Sequence, residues 1–136
     1  MEYMISAQPV KTLTEILENI LEAPVEVFGD LHVVNKQREL AIKTGNSTLC
    51  FKIDYEITFQ NIHQQGKMLN KAELLLLPEE LPVFSSALIS QSVSLPTNYT
   101  QRLVMETDVF CLYMESQELP ELFAERFAAA LKAVIN

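Results

Sequence analysis

The side chains of this chain best suited to chemistry are His32 and His63, Cys50 and Cys111, and several closely spaced carboxylates. A metal site needs several such groups converging on one point, and neither histidine belongs to a short ligand motif. His32 falls in a valine-rich segment and reads as a sheet residue, whereas His63 reads as loop surface. An enzymatic site would require a tertiary meeting of His32, Cys50 and His63 that only the fold can create. Nucleophilic catalysis needs an activated serine or cysteine with a base in reach. Cys111 lies in the apolar run Val109-Phe110-Cys111-Leu112, where burial raises a thiol pKa and blunts it. Cys50 is on the outward register of its strand and is the more accessible thiol. Ser85, Ser86, Ser90, Ser92 and Ser94 lack a nucleophile elbow. Glu79-Glu80 suits a helix N-terminus, while Glu118 with Glu121 and Asp54 with Glu56 suit solvated faces. The three glycines, Gly29, Gly45 and Gly66, are too dispersed for a phosphate-cradling loop or a dinucleotide fingerprint. These residues assign no catalytic role, no metal and no cofactor.

The polar stretch Pro96-Thr97-Asn98-Tyr99-Thr100-Gln101-Arg102 is the best ligand-binding candidate in the sequence. Asn98, Tyr99, Gln101 and Arg102 offer hydrogen bonds, an aromatic ring and a cation for an anionic group. The competing reading is a surface loop entering a strand.

The elements that must position these groups follow from periodicity. Thr12 and Glu15 form a capping box, and Leu13, Ile16, Leu17, Ile20 and Leu21 repeat at helical spacing until Pro24. Short strands are expected at 25–28, 31–34 and 39–43, with Gly29-Asp30 turning between the first two and Thr44-Gly45-Asn46-Ser47 closing the third. Leu49, Phe51, Ile53, Tyr55, Ile57 and Phe59 alternate with polar residues, the pattern of a long antiparallel strand with one wet face. Residues 61–70 read as a loop and 73–77 as a strand buried on both faces. A turn at Pro78 precedes a helix from about Pro82 to Ile89 that buries Val83, Phe84, Ala87 and Leu88. A hairpin, 102–106 and 109–114, turns at Thr107-Asp108. A last helix, 118–134, presents Leu119, Leu122, Phe123, Phe127, Ala130, Leu131 and Val134. This order, α-β(3–5)-α-β-β-α, predicts a two-layer α+β fold, an antiparallel sheet with helices on one side.

The chain has 136 residues, a length suited to one domain, with residues 1–10 expected as a loosely held arm. Its net charge is −8. Such a surface repels phosphate backbones and anionic lipid, so neither nucleic acid nor membrane is expected as a partner. No bilayer-length apolar run and no signal-peptide pattern occurs, which predicts a cytoplasmic protein with reduced cysteines rather than a Cys50–Cys111 disulfide.

Residues 73–88, Glu73-Leu74-Leu75-Leu76-Leu77-Pro78-Glu79-Glu80-Leu81-Pro82-Val83-Phe84-Ser85-Ser86-Ala87-Leu88, resemble the central block of the LppY/LpqO-like family of uncharacterised bacterial proteins. The similarity continues through a short strand near 93–95, the strand 110–115 and the helix at 122–131. It implies a fold and no settled activity. The family's His-Asn-His cluster aligns with Thr97, Asn98 and Tyr99, so no role of those histidines transfers. The size, acidity and element order also resemble those of type III secretion chaperones, homodimers that wrap an unfolded segment of a partner. Three functions follow as expectations. The first is a non-catalytic, homodimeric α+β protein with a small-molecule cleft at Asn98, Tyr99, Gln101 and Arg102. The second is a homodimeric protein-binding chaperone. The third is an enzyme whose site forms only on folding.

Overall fold

A computed structural model describes residues 12–106 and 108–135. The expected arm at 1–10 and the Thr107 half of the last turn lie outside the described residues. The elements run α1 (Leu13–Leu21), β1 (Glu26–Phe28), β2 (Leu31–Thr44), β3 (Ser47–Gln64), β4 (Lys67–Leu76), α2 (Leu81–Ile89), β5 (Thr100–Glu106), β6 (Val109–Glu118) and α3 (Pro120–Ile135). All strand pairs are antiparallel, in the order β1-β2-β3-β4-β6-β5. The helices cover one side, giving the two-layer α+β plan.

The start of α1 is fixed as its residues require. Thr12 Oγ1 accepts from the Glu15 amide at 3.2 Å and Glu15 Oε1 from the Thr12 amide at 3.0 Å, so two free backbone donors are satisfied reciprocally. Leu17 and Leu21 are its buried residues. α3 packs against α1, α2, β4 and β6. In the core between the layers, the Phe127 ring lies 5.6 Å from Tyr55 and 5.9 Å from Phe84, and Phe123 meets Phe59 edge-on at 6.2 Å.

Several boundaries differ from the sequence expectation. Residues 31–34 and 39–43 belong to one strand, β2, because Asn35, Lys36, Gln37 and Arg38 pair in unbroken register with β3. The polar residues among them do not interrupt the ladder, since Lys36 and Arg38 find acceptors on the helical side. Residues 61–70 are not a loop but the end of β3, a two-residue turn and most of the first part of β4. Gln65 and Gly66 take φ of 55° and 79°, the left-handed pair that a tight hairpin turn demands. A bulge between Asn61 and Gln64 puts His63 at φ 56°, and Asn61 Oδ1 accepts the His63 amide at 2.8 Å. Ladder bonds need no apolar side chains, so a wet hairpin end carries no apolar alternation.

Val83 and Leu119 are exposed rather than buried. Nine-residue α2 buries only Phe84 and Leu88 fully, and Leu119 precedes α3. Residues 93–95 form no strand, and the carbonyls of Val93 and Ser94 accept from the Arg126 guanidinium instead of from a neighbouring strand.

Candidate functional site

The four ligand candidates are divided by the sheet. Asn98 donates through Nδ2 to the Gln117 carbonyl at 3.0 Å and accepts through Oδ1 from the Gln117 amide at 2.9 Å, imitating one more rung of the β5–β6 ladder. Tyr99 packs on the core, and its hydroxyl donates to Gln101 Oε1 at 2.9 Å. Burial pushes the Tyr99 phenol up to about 12, with Arg126 opposing and Glu118 reinforcing the rise. Arg102 projects from the other side of β5, its guanidinium 4.1 Å from the centre of the Tyr113 ring. It borders an open depression of about 470 Å³ with Glu56, Lys71, Glu73, Tyr113 and Glu115. Gln101 also touches this depression, and Asn98 and Tyr99 do not.

His32, Cys50 and His63 do not converge. His32 pairs with Phe59 and Cys50 with Ala41, nine residues apart along β3, which is about 30 Å of strand. Exposed His63 sits beside Asp30, Nε2 to Oδ2 at 3.2 Å. Among the described residues, no three His, Cys, Asp or Glu are placed to hold a metal ion, and no helix is long and apolar enough to cross a membrane. Both cysteines are free, Cys50 exposed and Cys111 buried.

Glu118 is not on a solvated face. It is buried at the end of β6, where Oε1 meets Arg126 at 2.5 Å and Oε2 accepts from Ser116 Oγ at 2.7 Å. Asn70 Nδ2 donates to the Glu118 carbonyl at 3.2 Å. Arg126 also holds the carbonyls of Val93 at 3.4 Å and Ser94 at 2.7 Å. The cluster spends its groups on fixing the α2–β5 connection to α3 and β6, a structural clamp. Its signal lay in the sequence: Arg126 falls on the Phe123, Phe127, Ala130 stripe, and Glu118 follows Met114 and Ser116 in period two.

A second buried cation lies beside open space. Arg38 donates to Glu80 Oε2 at 2.6 Å and to the Leu75 carbonyl at 3.3 Å, tying β2 to the start of α2. Among the described residues its buried Nε has no hydrogen-bond partner. Lys36 Nζ lies 3.4 Å from the Leu21 carbonyl, at the negative end of α1. Directly across the ladder from Lys36 stands Tyr55, whose phenol is raised above its ordinary value by burial, with Arg38 lowering and Glu22 raising it. These groups line a groove of about 740 Å³ walled by Ile20, Phe127, Leu131 and Val134.

The chain matches no protein-family model, no curated protein and no solved structure.

The groove runs along a strand edge. β1 pairs with β2 only from Leu31 to Val33, so among the described residues the outer edge of β2 from Val34 to Thr44 has no strand neighbour. Consecutive residues 36–39 line the groove, as happens where a cavity follows a backbone edge rather than one sheet face. The helix-side row continues outward as the pairs Leu40–Phe51 and Ile42–Leu49, with Phe51 and Leu49 nearly half exposed. Unpaired amides and carbonyls beside an apolar wall form a template for an added strand.

Proposed function

We propose that this protein is a cytoplasmic, homodimeric binding module for an extended segment of another protein, in the manner of a secretion chaperone. The edge of β2 that lacks a strand neighbour among the described residues, beside the apolar groove, is the observation that carries this reading. An extended segment would complete the ladder with its backbone and set alternate side chains against Ile20, Leu131 and Val134. The resemblance in size, acidity and element order to type III secretion chaperones supports the same conclusion. The second copy docks on the opposite edge, β5, where Leu103 and Met105 are exposed on the helical side. This reading is preferred to a small-molecule cleft because Asn98 and Tyr99 spend their hydrogen-bonding groups inside the protein.

Hydrogen exchange with and without synthetic extended peptides rich in valine and leucine tests the proposal. Saturable protection of the amides of residues 34–44 is expected. If every peptide leaves these amides exchanging at their free rate, the edge is not a docking site and the reading fails.

A further inference from the structure

On the helical side of the groove, one cation has no anion beside it among the described residues. Glu22 is met by Lys132 at 3.5 Å, and Glu80 by Arg38 at 2.6 Å. Glu39, next along β2, also borders the groove but alternates to the helix-free side, whereas Lys36 stands on the helical side. Among the described residues Lys36 makes no ion pair, and its Nζ has only the long 3.4 Å contact with the Leu21 carbonyl. Its ladder partner Tyr55 carries a phenol rather than a carboxylate, and both line the groove. A strand added to the β2 edge places a side chain directly across from Lys36 on the helical side, at the separation where opposite charges attract across a ladder. The same side of β2 continues with Arg38, Leu40 and Ile42. Arg38 is already neutralised, and Leu40 and Ile42 are apolar.

We propose that the segment bound at this edge carries a carboxylate side chain opposite Lys36 and apolar side chains opposite Leu40 and Ile42. This rests on the segment-binding reading above and adds to it the register and chemistry of the partner. The protein's overall negative charge does not oppose it at contact range, because charges farther than about 8–10 Å are screened at physiological salt, while Glu22 and Glu80 at the groove are already paired.

Isothermal titration with two synthetic peptides tests this. Both alternate valine and threonine, with leucines at the spacings of Leu40 and Ile42 from Lys36. One has glutamate at the position facing Lys36 and the other has glutamine. The glutamate peptide is expected to bind about fivefold more tightly. Lys36→Gln should abolish that preference and Lys36→Arg should retain it, with matched thermal melts showing that both variants fold. Equal binding of the two peptides by the unaltered protein, or a preference that survives Lys36→Gln, overturns the proposed register while leaving segment binding intact. Absence of binding by both peptides, together with unprotected β2 amides, overturns both.

Discussion

Arg126 places a charge where helical spacing calls for a core residue. It stands three residues after Phe123 and four before Ala130, on the buried stripe of α3, where an unpaired guanidinium would be prohibitively costly. The Glu118 carboxylate and the carbonyls of Val93 and Ser94 make the position tolerable. Arg126→Met strands Glu118 as a buried charge, and unfolding in urea should show a loss of about 3–5 kcal/mol. Arg126→Met with Glu118→Gln removes both charges and should recover a substantial part of that loss. If the double variant is as unstable as the single one, the guanidinium acts through the backbone carbonyls rather than through the ion pair. The Tyr55 and Lys36 pairing belongs to the same scale, since each takes its meaning from the residue across the ladder.

Among the elements, the two long hairpins show how turn chemistry sets register independently of apolar patterning. Gly45 takes φ 61° between β2 and β3, and a Cβ added there meets nothing within 4 Å. The cost of a side chain at this position is therefore conformational alone. Gly45→Ala should lower stability by about 1–2 kcal/mol. Gln65 occupies φ 55° with no glycine's freedom. Replacing it by asparagine, which tolerates the left-handed region, should raise stability by about 0.5 kcal/mol. Thermal melts of the two variants should move in opposite directions, and shifts of the same sign would mean that the turns do not limit hairpin stability. β2 and β3 together carry the apolar row of Leu40, Ile42, Leu49 and Phe51, which makes their turn a lever on the proposed docking edge.

For the molecule as a whole, the sheet has two unlike edges. The β2 side combines the groove with a backbone edge that has no strand neighbour among the described residues, whereas the β5 side offers Leu103 and Met105, the latter 71% exposed. α2 adds Val83 and Ile89 to the protein's exposed apolar surface. A second copy at β5 and a partner segment at β2 would leave neither edge open to uncontrolled pairing. Native mass spectrometry at micromolar concentration should show a dimer, and Leu103→Glu combined with Met105→Lys should shift it to monomer without lowering the thermal midpoint of the monomer fold. An unaltered protein that is monomeric under these conditions would remove the β5 contact from the proposal.

What the sequence determined by itself was local and periodic. The Thr12–Glu15 box, the alternation from Leu49 to Phe59 and the stripe ending at Val134 each encode which face of an element turns inward, because side-chain direction repeats with the backbone. From these the α+β class and the one-sided helical layer follow. Polar strands were less legible: residues 35–38 and 61–70 lack apolar contrast, and their ladder bonds depend on a partner strand rather than on their own side chains. The division of Asn98, Tyr99, Gln101 and Arg102 between internal bonds and opposite faces depended on the β5–β6 register. Only the tertiary structure decided the groove, because β1 stops pairing at Val33 and the ends of α1 and α3 come alongside the β2 edge beyond it. No spacing within one segment records that three distant segments meet there.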